Sequence, residues 1–405
     1  MSEAGRGPVA TAASSTGRLV GIDLARGLAV FGMYAAHVGP DVSVGGPVGF
    51  LMEAARGRSS ALFAVLAGFS LVIITGRPRP RTGRAGRQAV ARVVVRAVLL
   101  MALGYVLTDL DTDIDVILSF YGLLFLLVVP LYRLRAATLA VVAAAGALVM
   151  PQVLFVVRRS AEAGDWADAV VAHDPLARIT GTDGFVELLF TGEYPVLTWL
   201  PFIVAGMAVA RLELGRARVR RLLTLTGGAL AVAGYGGSWL ALHLVPRALS
   251  AVSAATDGGS ASSAWWSDTV GDPDGRTPVA WLLVAAPHSQ TTFSVLGNTG
   301  VAVLVVAGCL TVVERLPGLT RTAAPVAAVG TMALTVYVLH IVALWCLDGV
   351  WYVPAIDSDT MSALPVLLCF IGAAVLLATA WKCLFRRGPL EYLIHMATRV
   401  VRHIR

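Results

Sequence analysis

The first apolar stretch of the sequence carries three ionisable side chains. Asp23, Arg26 and His37 belong to one series of residues spaced three or four apart, which is the spacing that places side chains on one face of a helix. One interpretation is an ion pair between Asp23 and Arg26 that steadies the helix. The other is a polar lining for a ligand that enters a helix bundle, because ionisable residues within membrane spans are functional candidates by default.

Two more histidines and an asparagine are predicted to lie at the same depth as His37. His288 is predicted at the outer start of a helix, and Asn298 lies one to two turns into that helix. His340 falls in the outer half of its own apolar stretch. A neutral imidazole can accept a proton from a hydroxyl or an amine. We therefore take His37 as the first candidate for a general base, His288 as the second, and His340 as a residue that orients or relays. Asn298 would stabilise an oxyanion.

Each of these histidines has a purely structural role as its alternative, and metal binding is a further one. Neutral imidazole binds zinc well, but no two of the three have i,i+4 spacing and no acidic residue stands beside them in the sequence. We therefore expect no metal.

The composition indicates what kind of fold must position these residues. Of the 405 residues, 57% are hydrophobic and 14% are charged, against about 25% charged in ordinary soluble domains. A helix needs about 20 apolar residues to cross a membrane. The sequence thus predicts an all-α, polytopic membrane protein with about ten transmembrane helices, near 21–38, 58–76, 92–108, 115–132, 136–157, 195–212, 222–245, 294–313, 326–347 and 361–384.

The charge distribution predicts that both termini are cytoplasmic. With ten spans, 24 of the 32 basic residues fall in inner segments and 20 of the 25 acidic residues in outer ones, as expected when cytoplasmic loops retain Lys and Arg. The basic balance is therefore a topology signal and does not predict a nucleic-acid partner. The predicted divisions are a disordered N-terminus at 1–17, one membrane domain at 18–384 and a basic tail at 385–405.

Two features of the predicted outer segments stand out. Arg58 is a basic residue at the outer end of its predicted span, where acidic residues predominate. It would either pair with Glu53 or bind an anionic donor or acceptor group. The outer segment 246–293 contains a Gly/Ser-rich part, 257–278, that predicts a flexible loop. It is followed by an apolar piece, 279–287, that is too short to span and predicts a re-entrant or interfacial segment.

The sequence resembles the YeiB-like bacterial membrane proteins and the related heparan-α-glucosaminide N-acetyltransferase-like proteins. The resemblance covers about 18–396 and rests on Asp23-Leu-Ala-Arg-Gly-Leu with Met33 and His37, Arg58-Ser-Ser-Ala-Leu-Phe63, Tyr194-Pro195 with Trp199-Leu-Pro-Phe202, Gly330-Thr-Met-Ala-Leu-Thr335 through Tyr337, and Arg387-Gly-Pro-Leu-Glu-Tyr392. It implies a transmembrane acyltransferase fold in the bacterial plasma membrane. In that fold an acyl group from cytoplasmic acyl-CoA reaches an acceptor across the membrane.

The residues and the resemblance together predict one mechanism. Acyl-CoA, with acetyl-CoA first among the donors, would be held near Asp23, Arg26 and Arg58, and a histidine at the other end would activate a hydroxyl or amine. The predicted partners are the lipid bilayer, acyl-CoA and a sugar, lipid or amine acceptor, with a homodimer left open. A transporter of a small anionic or amphipathic substrate and a non-catalytic membrane sensor are the alternatives.

The topology prediction is testable by cysteine labelling. In a variant without the four native cysteines, Ser262→Cys should react with an impermeant maleimide added outside, and Thr82→Cys only after the membrane is opened, because the two positions fall in opposite segments. Equal labelling of both positions in intact cells would contradict the orientation.

Overall fold

Helices build the protein, as the composition predicts. The structure, a computed structural model, describes residues 13–112, 114–256, 260–271, 273–349 and 363–403. The structure is 80% helical, with no β-strand in these ranges. The expectation of an all-α, polytopic membrane protein is confirmed.

The helices follow one another with short connections. In the first part of the chain they are α1 (Ala13–Val38), α2 (Gly46–Ala55), α3 (Arg58–Thr75), α4 (Gly83–Thr108), α5 (Ile117–Val128), α6 (Ala136–Ala163), α7 (Trp166–His173), α8 (Pro175–Thr180) and α9 (Gly184–Val186). In the second part they are α10 (Val196–Ala210), α11 (Ala217–Ala231), α12 (Gly237–Leu244), α13 (Ala248–Ala254), α14 (Thr292–Arg315), α15 (Pro317–Thr322), α16 (Ala324–Thr331), α17 (Ala333–Gly349), α18 (Ala363–Leu384) and α19 (Pro389–Ala397).

Each of the ten predicted spans overlaps one or more of these helices. Among the described residues, five helical stretches are long and apolar enough to cross a membrane, and two bent helix pairs raise the number to as many as seven. The helix α1, which carries Asp23 and Arg26, is not among them, and α5 is only 12 residues long. Ten crossing helices therefore stay a prediction. The five stretches are Gly46–Thr75, Gly83–Thr108, Ala136–Ala163, Thr292–Arg315 and Ala363–Leu384.

One bent pair lies at the centre of the bundle. Between α16 and α17 the chain turns by 83°, which leaves the first N–H groups of α17 without helical partners. Glu391 of α19 takes them up: Leu334 N–H and Thr335 N–H donate to its Oε1 at 2.9 and 3.1 Å, and the Thr335 hydroxyl donates to its Oε2 at 2.5 Å. A carboxylate is favourable at this end of a helix.

Helices also occur within both predicted tails, and the division of the chain after residues 17 and 384 stays a prediction. The basic tail at 385–405 folds back as α19 and a 3-10 turn (Thr398–His403), because Glu391 ties it to α17. The first helix begins at Ala13, within the stretch 1–17 that was expected to be disordered. Residues 1–12 lie outside the described part of the chain.

The segment 246–293 is more ordered than its composition predicts. It contains α13 and two 3-10 turns (Ala261–Ser263 and Val279–Leu283), and it encloses a small core of its own. Its spaced apolar side chains supply that core, and Trp281, at 2% exposure, is the largest of them. The piece 279–287 packs on that core through Trp281, Val284 and Ala286, and its re-entrant or interfacial position stays a prediction. Residues 257–259 and 272 lie outside the description.

Two glycines bring α1 and α16 into backbone contact. A Cβ at Gly330 would lie 1.7 Å from the carbonyl oxygen of Asp23, and one at Gly27 would lie 2.2 Å from that of Val326. Small residues at helix crossings allow such close approach in membrane proteins. The crossing fixes how far Arg26 stands from the α16–α17 bend.

Substitution of Gly330 tests this contact. Gly330→Ala should destabilise the fold by about 1–3 kcal/mol or more, because an overpacked interface must separate, and thermal unfolding in detergent should begin at a lower temperature. Gly308→Ala on α14 is the control, since a Cβ there meets nothing within 4 Å. Equal melting temperatures for the two variants would contradict the close crossing.

Candidate functional site

A basic cavity opens beside the α16–α17 bend. It has a volume of about 480 Å³ and lies between α1, α3, α4, α5, α17 and α19. Apolar side chains such as Phe63 and Leu100 form part of its lining, and several cationic side chains form another part. The ionisable residues of the lining are Arg26, Arg92, Arg96, Tyr121, Arg387, Glu391 and His395.

Arg26 holds its position on this wall through two hydrogen bonds. Its Nη1 donates to Asp23 Oδ1 at 2.8 Å, and its Nη2 donates to Ser70 Oγ at 2.8 Å. The ion pair expected between residues 23 and 26 is thus present. Because the guanidinium also lines the cavity, pairing and exposure to a ligand occur together.

Two buried polar atoms of the cavity wall have no hydrogen-bond partner within the described part of the chain. They are Nε of Arg96 and the hydroxyl oxygen of Tyr121. Buried polar groups are normally paired, and each exception calls for an explanation. The carboxylate of Glu391 is not the partner of these two atoms, because it accepts hydrogen bonds from Leu334 and Thr335 of α17. The wall therefore offers cationic and polar donors to a ligand.

Two histidines meet at the opposite end of α1. Nδ1 of His37 lies 2.9 Å from Nε2 of His340, and their rings stack with centroids 5.1 Å apart. His340 is 2% exposed, and its Nδ1 is hydrogen-bonded to the backbone carbonyl of Tyr337. The ring of Tyr34 packs on His340 at 4.8 Å, and its hydroxyl donates to the carbonyl of Val336 at 2.7 Å.

The hydrogen bonds of this pair determine where the protons are when both rings are neutral. A carbonyl only accepts, so Nδ1 of His340 carries a proton and donates it to Tyr337. Nε2 of His340 is then an acceptor, and Nδ1 of His37 donates to it. The remaining nitrogen, Nε2 of His37, is left with a lone pair. The pair thus presents one basic nitrogen in a defined direction.

His288 lies near the pair but is held by another residue. Its Nδ1 forms an ion pair with Oε1 of Glu193, and its ring meets Tyr194 and Trp199 at 5.5 and 6.0 Å. It is close enough to interact electrostatically with His37. The three histidines predicted at one depth therefore divide into a hydrogen-bonded pair and a neighbour.

The carboxylate of Asp268 lies close enough to His288 to interact with it electrostatically. Asp268 lies 3.9 Å from Arg56, which also pairs with Asp41 at 2.9 Å. Burial raises the pKa of the Asp268 carboxyl, and the nearby His288 and Arg56 act in the opposite direction. The mouth of the histidine end is acidic, whereas the cavity at the other end of α1 is basic.

Arg58 and Asn298 belong to a separate hydrogen-bond chain. Arg58 donates to the carbonyl of Glu53 at 2.8 Å, to that of Trp266, and to the hydroxyl of Tyr235 at 3.1 Å. That hydroxyl donates to Oδ1 of Asn298 at 2.7 Å, whose amide nitrogen donates to Ser294 Oγ at 3.2 Å. Neither residue lines the basic cavity. Arg58 meets the backbone of Glu53, and the expected pairing of their charged groups is not among the ion pairs of the described residues.

Sequence reasoning missed much of the cavity. Arg92 and Arg96 fall in the arginine run that the positive-inside rule explains without a ligand, and His395 falls in the basic tail. A local signal did exist for the first two, since their i,i+4 spacing places both on one face of α4. No local signal places α19 against that face, because its attachment runs through Glu391 and Thr335, 56 positions apart.

Comparison with known families agrees with these features. The family described as "Heparan-alpha-glucosaminide N-acetyltransferase, catalytic" matches residues 18–242, which is more than half of the chain. The family described as "Protein of unknown function (DUF418)", which is YeiB-like, matches residues 277–401. No curated protein matches the chain. The resemblance noted from the motifs is confirmed.

Proposed function

We propose that this protein, which belongs to the family of heparan-α-glucosaminide N-acetyltransferase catalytic domains, transfers an acyl group from acyl-CoA to an acceptor on the other side of the membrane. The observation that carries the proposal is the arrangement of α1, which has Arg26 on a basic cavity at one end and His37 in a histidine pair at the other. Acetyl-CoA is the first candidate donor.

The lining of the cavity supports an anionic donor. Guanidinium groups match phosphate oxygens in bidentate geometry, and Arg26, Arg92, Arg96 and Arg387 contribute four of them. The unpaired Nε of Arg96 and hydroxyl of Tyr121 would gain partners from the same ligand. The basic wall would face the cytoplasm, where acyl-CoA is available.

Aromatic rings connect the cavity with the histidine pair. Phe63, which lines the cavity, stacks on Tyr121 at 5.8 Å and on Tyr337 at 6.3 Å. Tyr337 in turn meets His340 at 5.2 Å. The pantetheine arm of acyl-CoA, anchored in the cavity by the phosphates of the same molecule, would extend along these rings toward His37.

The histidine pair supports a general-base role. As the acceptor oxygen or nitrogen attacks the thioester carbonyl, Nε2 of His37 would take its proton. The carbon–sulfur bond would then break, and the CoA sulfur would leave as a thiol by taking that proton from His37, which returns to its neutral form. His340 would keep the His37 ring oriented, because its own Nδ1 is fixed by Tyr337. General bases of this kind contribute about 10²–10⁴ in rate.

Donor binding is the first test. Arg26→Gln and Arg96→Gln should each weaken acetyl-CoA binding about tenfold or more, because a hydrogen bond to a charged group contributes about 1.5–3 kcal/mol. Titration calorimetry in detergent measures this. Arg321→Gln, at an exposed arginine outside the cavity, and His37→Ala should bind as the wild type does. A wild-type protein that binds no acyl-CoA would remove the donor from the proposal.

Transfer activity is the second test. His37→Ala should lower acyl transfer by about a hundredfold or more, and His340→Ala should lower it less, since it disturbs only the orientation of the base. Release of free CoA with sugar, lipid or amine acceptors reports the rate. His243→Ala is the control, because that exposed ring bonds only to the Trp239 carbonyl of its own helix. Unchanged activity in His37→Ala would refute the assignment.

A further inference from the structure

A second basic groove lies away from the donor cavity, between the ends of α11 and α14. It has a volume of about 470 Å³ and is lined by Ala217, Arg218, Arg220, Arg221, Thr224, Thr311 and Arg315. We propose that this groove binds the headgroup of an anionic phospholipid. The proposal does not depend on acyl transfer.

One arginine of the groove is part of its framework. Arg220 is 5% exposed; its Nη1 pairs with Glu314 at 2.5 Å and donates to the carbonyl of Leu214 at 3.0 Å. This pair holds the end of α11 against α14. Glu314 is thereby neutralised, so it does not balance the other arginines.

The other three arginines are available to a ligand. Arg218, Arg221 and Arg315 are exposed, and within the described chain none of them has an ion-pair partner. Three guanidinium groups on one groove carry a net positive charge suited to phosphate, which guanidinium groups bind in bidentate geometry. The hydroxyl of Thr224 lies on the same lining.

An apolar stripe continues from the groove along α11 and into the helical turn Val232–Gly236 that follows it. Leu222, Leu225 and Val232 are 57%, 65% and 72% exposed, and together with Arg218 they are three, four or seven residues apart, on one face of the helix. In a membrane protein such a face meets acyl chains. A lipid would therefore place its phosphate among the arginines and its chains along this stripe, whereas a soluble anion would leave the stripe unused. Basic pockets between helices at a membrane interface bind anionic headgroups in this way.

Native mass spectrometry of the full-length, delipidated protein tests the proposal. With added phosphatidylglycerol or phosphatidylcholine in detergent, the wild type should prefer phosphatidylglycerol at least tenfold. Combined substitution Arg218→Gln, Arg221→Gln and Arg315→Gln should abolish that preference, because the neutral side chains cannot pair with phosphate. The corresponding three lysine substitutions should keep most of it, which guards against a folding defect.

A control separates the groove from general surface charge. Arg79→Gln, Arg81→Gln and Arg84→Gln together remove the same charge from exposed arginines before and at the start of α4, and the lipid preference should change less than twofold. An equal loss in this control would overturn the proposal. So would displacement of phosphatidylglycerol by millimolar inorganic phosphate, which would assign the groove to a soluble anion.

Discussion

The contact between the backbones of α1 and α16 is the constraint on which the rest of the site depends. Side chains at Gly27 or Gly330 would separate the two helices, because a Cβ at either position would lie within 2.2 Å of a carbonyl oxygen. At this separation Arg26 reaches the cavity beside the bend after α16. The same helix, continued by three turns, brings His37 against His340 on α17. One crossing thus sets both ends of the candidate site.

The bend that follows α16 creates the space for the cavity. It also leaves the first N–H groups of α17 without partners in their own helix. A helix that starts inside a bundle has N–H groups that need partners where water is scarce. Glu391 provides the partner, so α19 is attached directly at the bend, where Leu334 and Thr335 are buried. Its attachment adds Arg387 and His395 to the cavity wall. The attachment of α19 through Glu391 therefore caps the start of α17 and also completes the basic wall of the cavity.

The two ends of α1 also differ in charge in a way that suits transfer between unlike substrates. The cavity lining collects four guanidinium groups from α1, α4 and the segment just before α19, and among its described lining residues the one carboxylate is that of Glu391. Asp23 pairs with Arg26 next to this lining. The histidine end has carboxylates of Asp41, Glu193 and Asp268 near it. An anionic donor and an acceptor of another character would each meet a complementary surface. The aromatic rings of Phe63 and Tyr337 lie between the two ends.

The sequence by itself determined what depends on local spacing. Apolar lengths predict the helices, charge asymmetry predicts their orientation, and the three- and four-residue steps of Asp23, Arg26 and His37 predict a shared face. The lengths follow from the thickness of a membrane, the orientation from the retention of Lys and Arg in cytoplasmic loops, and the shared face from the period of the helix. The sequence motifs also indicated the family.

Only the tertiary structure decided which residues meet. His37 pairs with His340, 303 positions away, and leaves His288 to Glu193. Arg58, which the sequence predicts near the acyl donor, donates hydrogen bonds to two backbone carbonyls and to the hydroxyl of Tyr235. Periodicity places a side chain on a face, but it does not say which other helix that face meets, because that choice depends on helix crossings such as the one at Gly330.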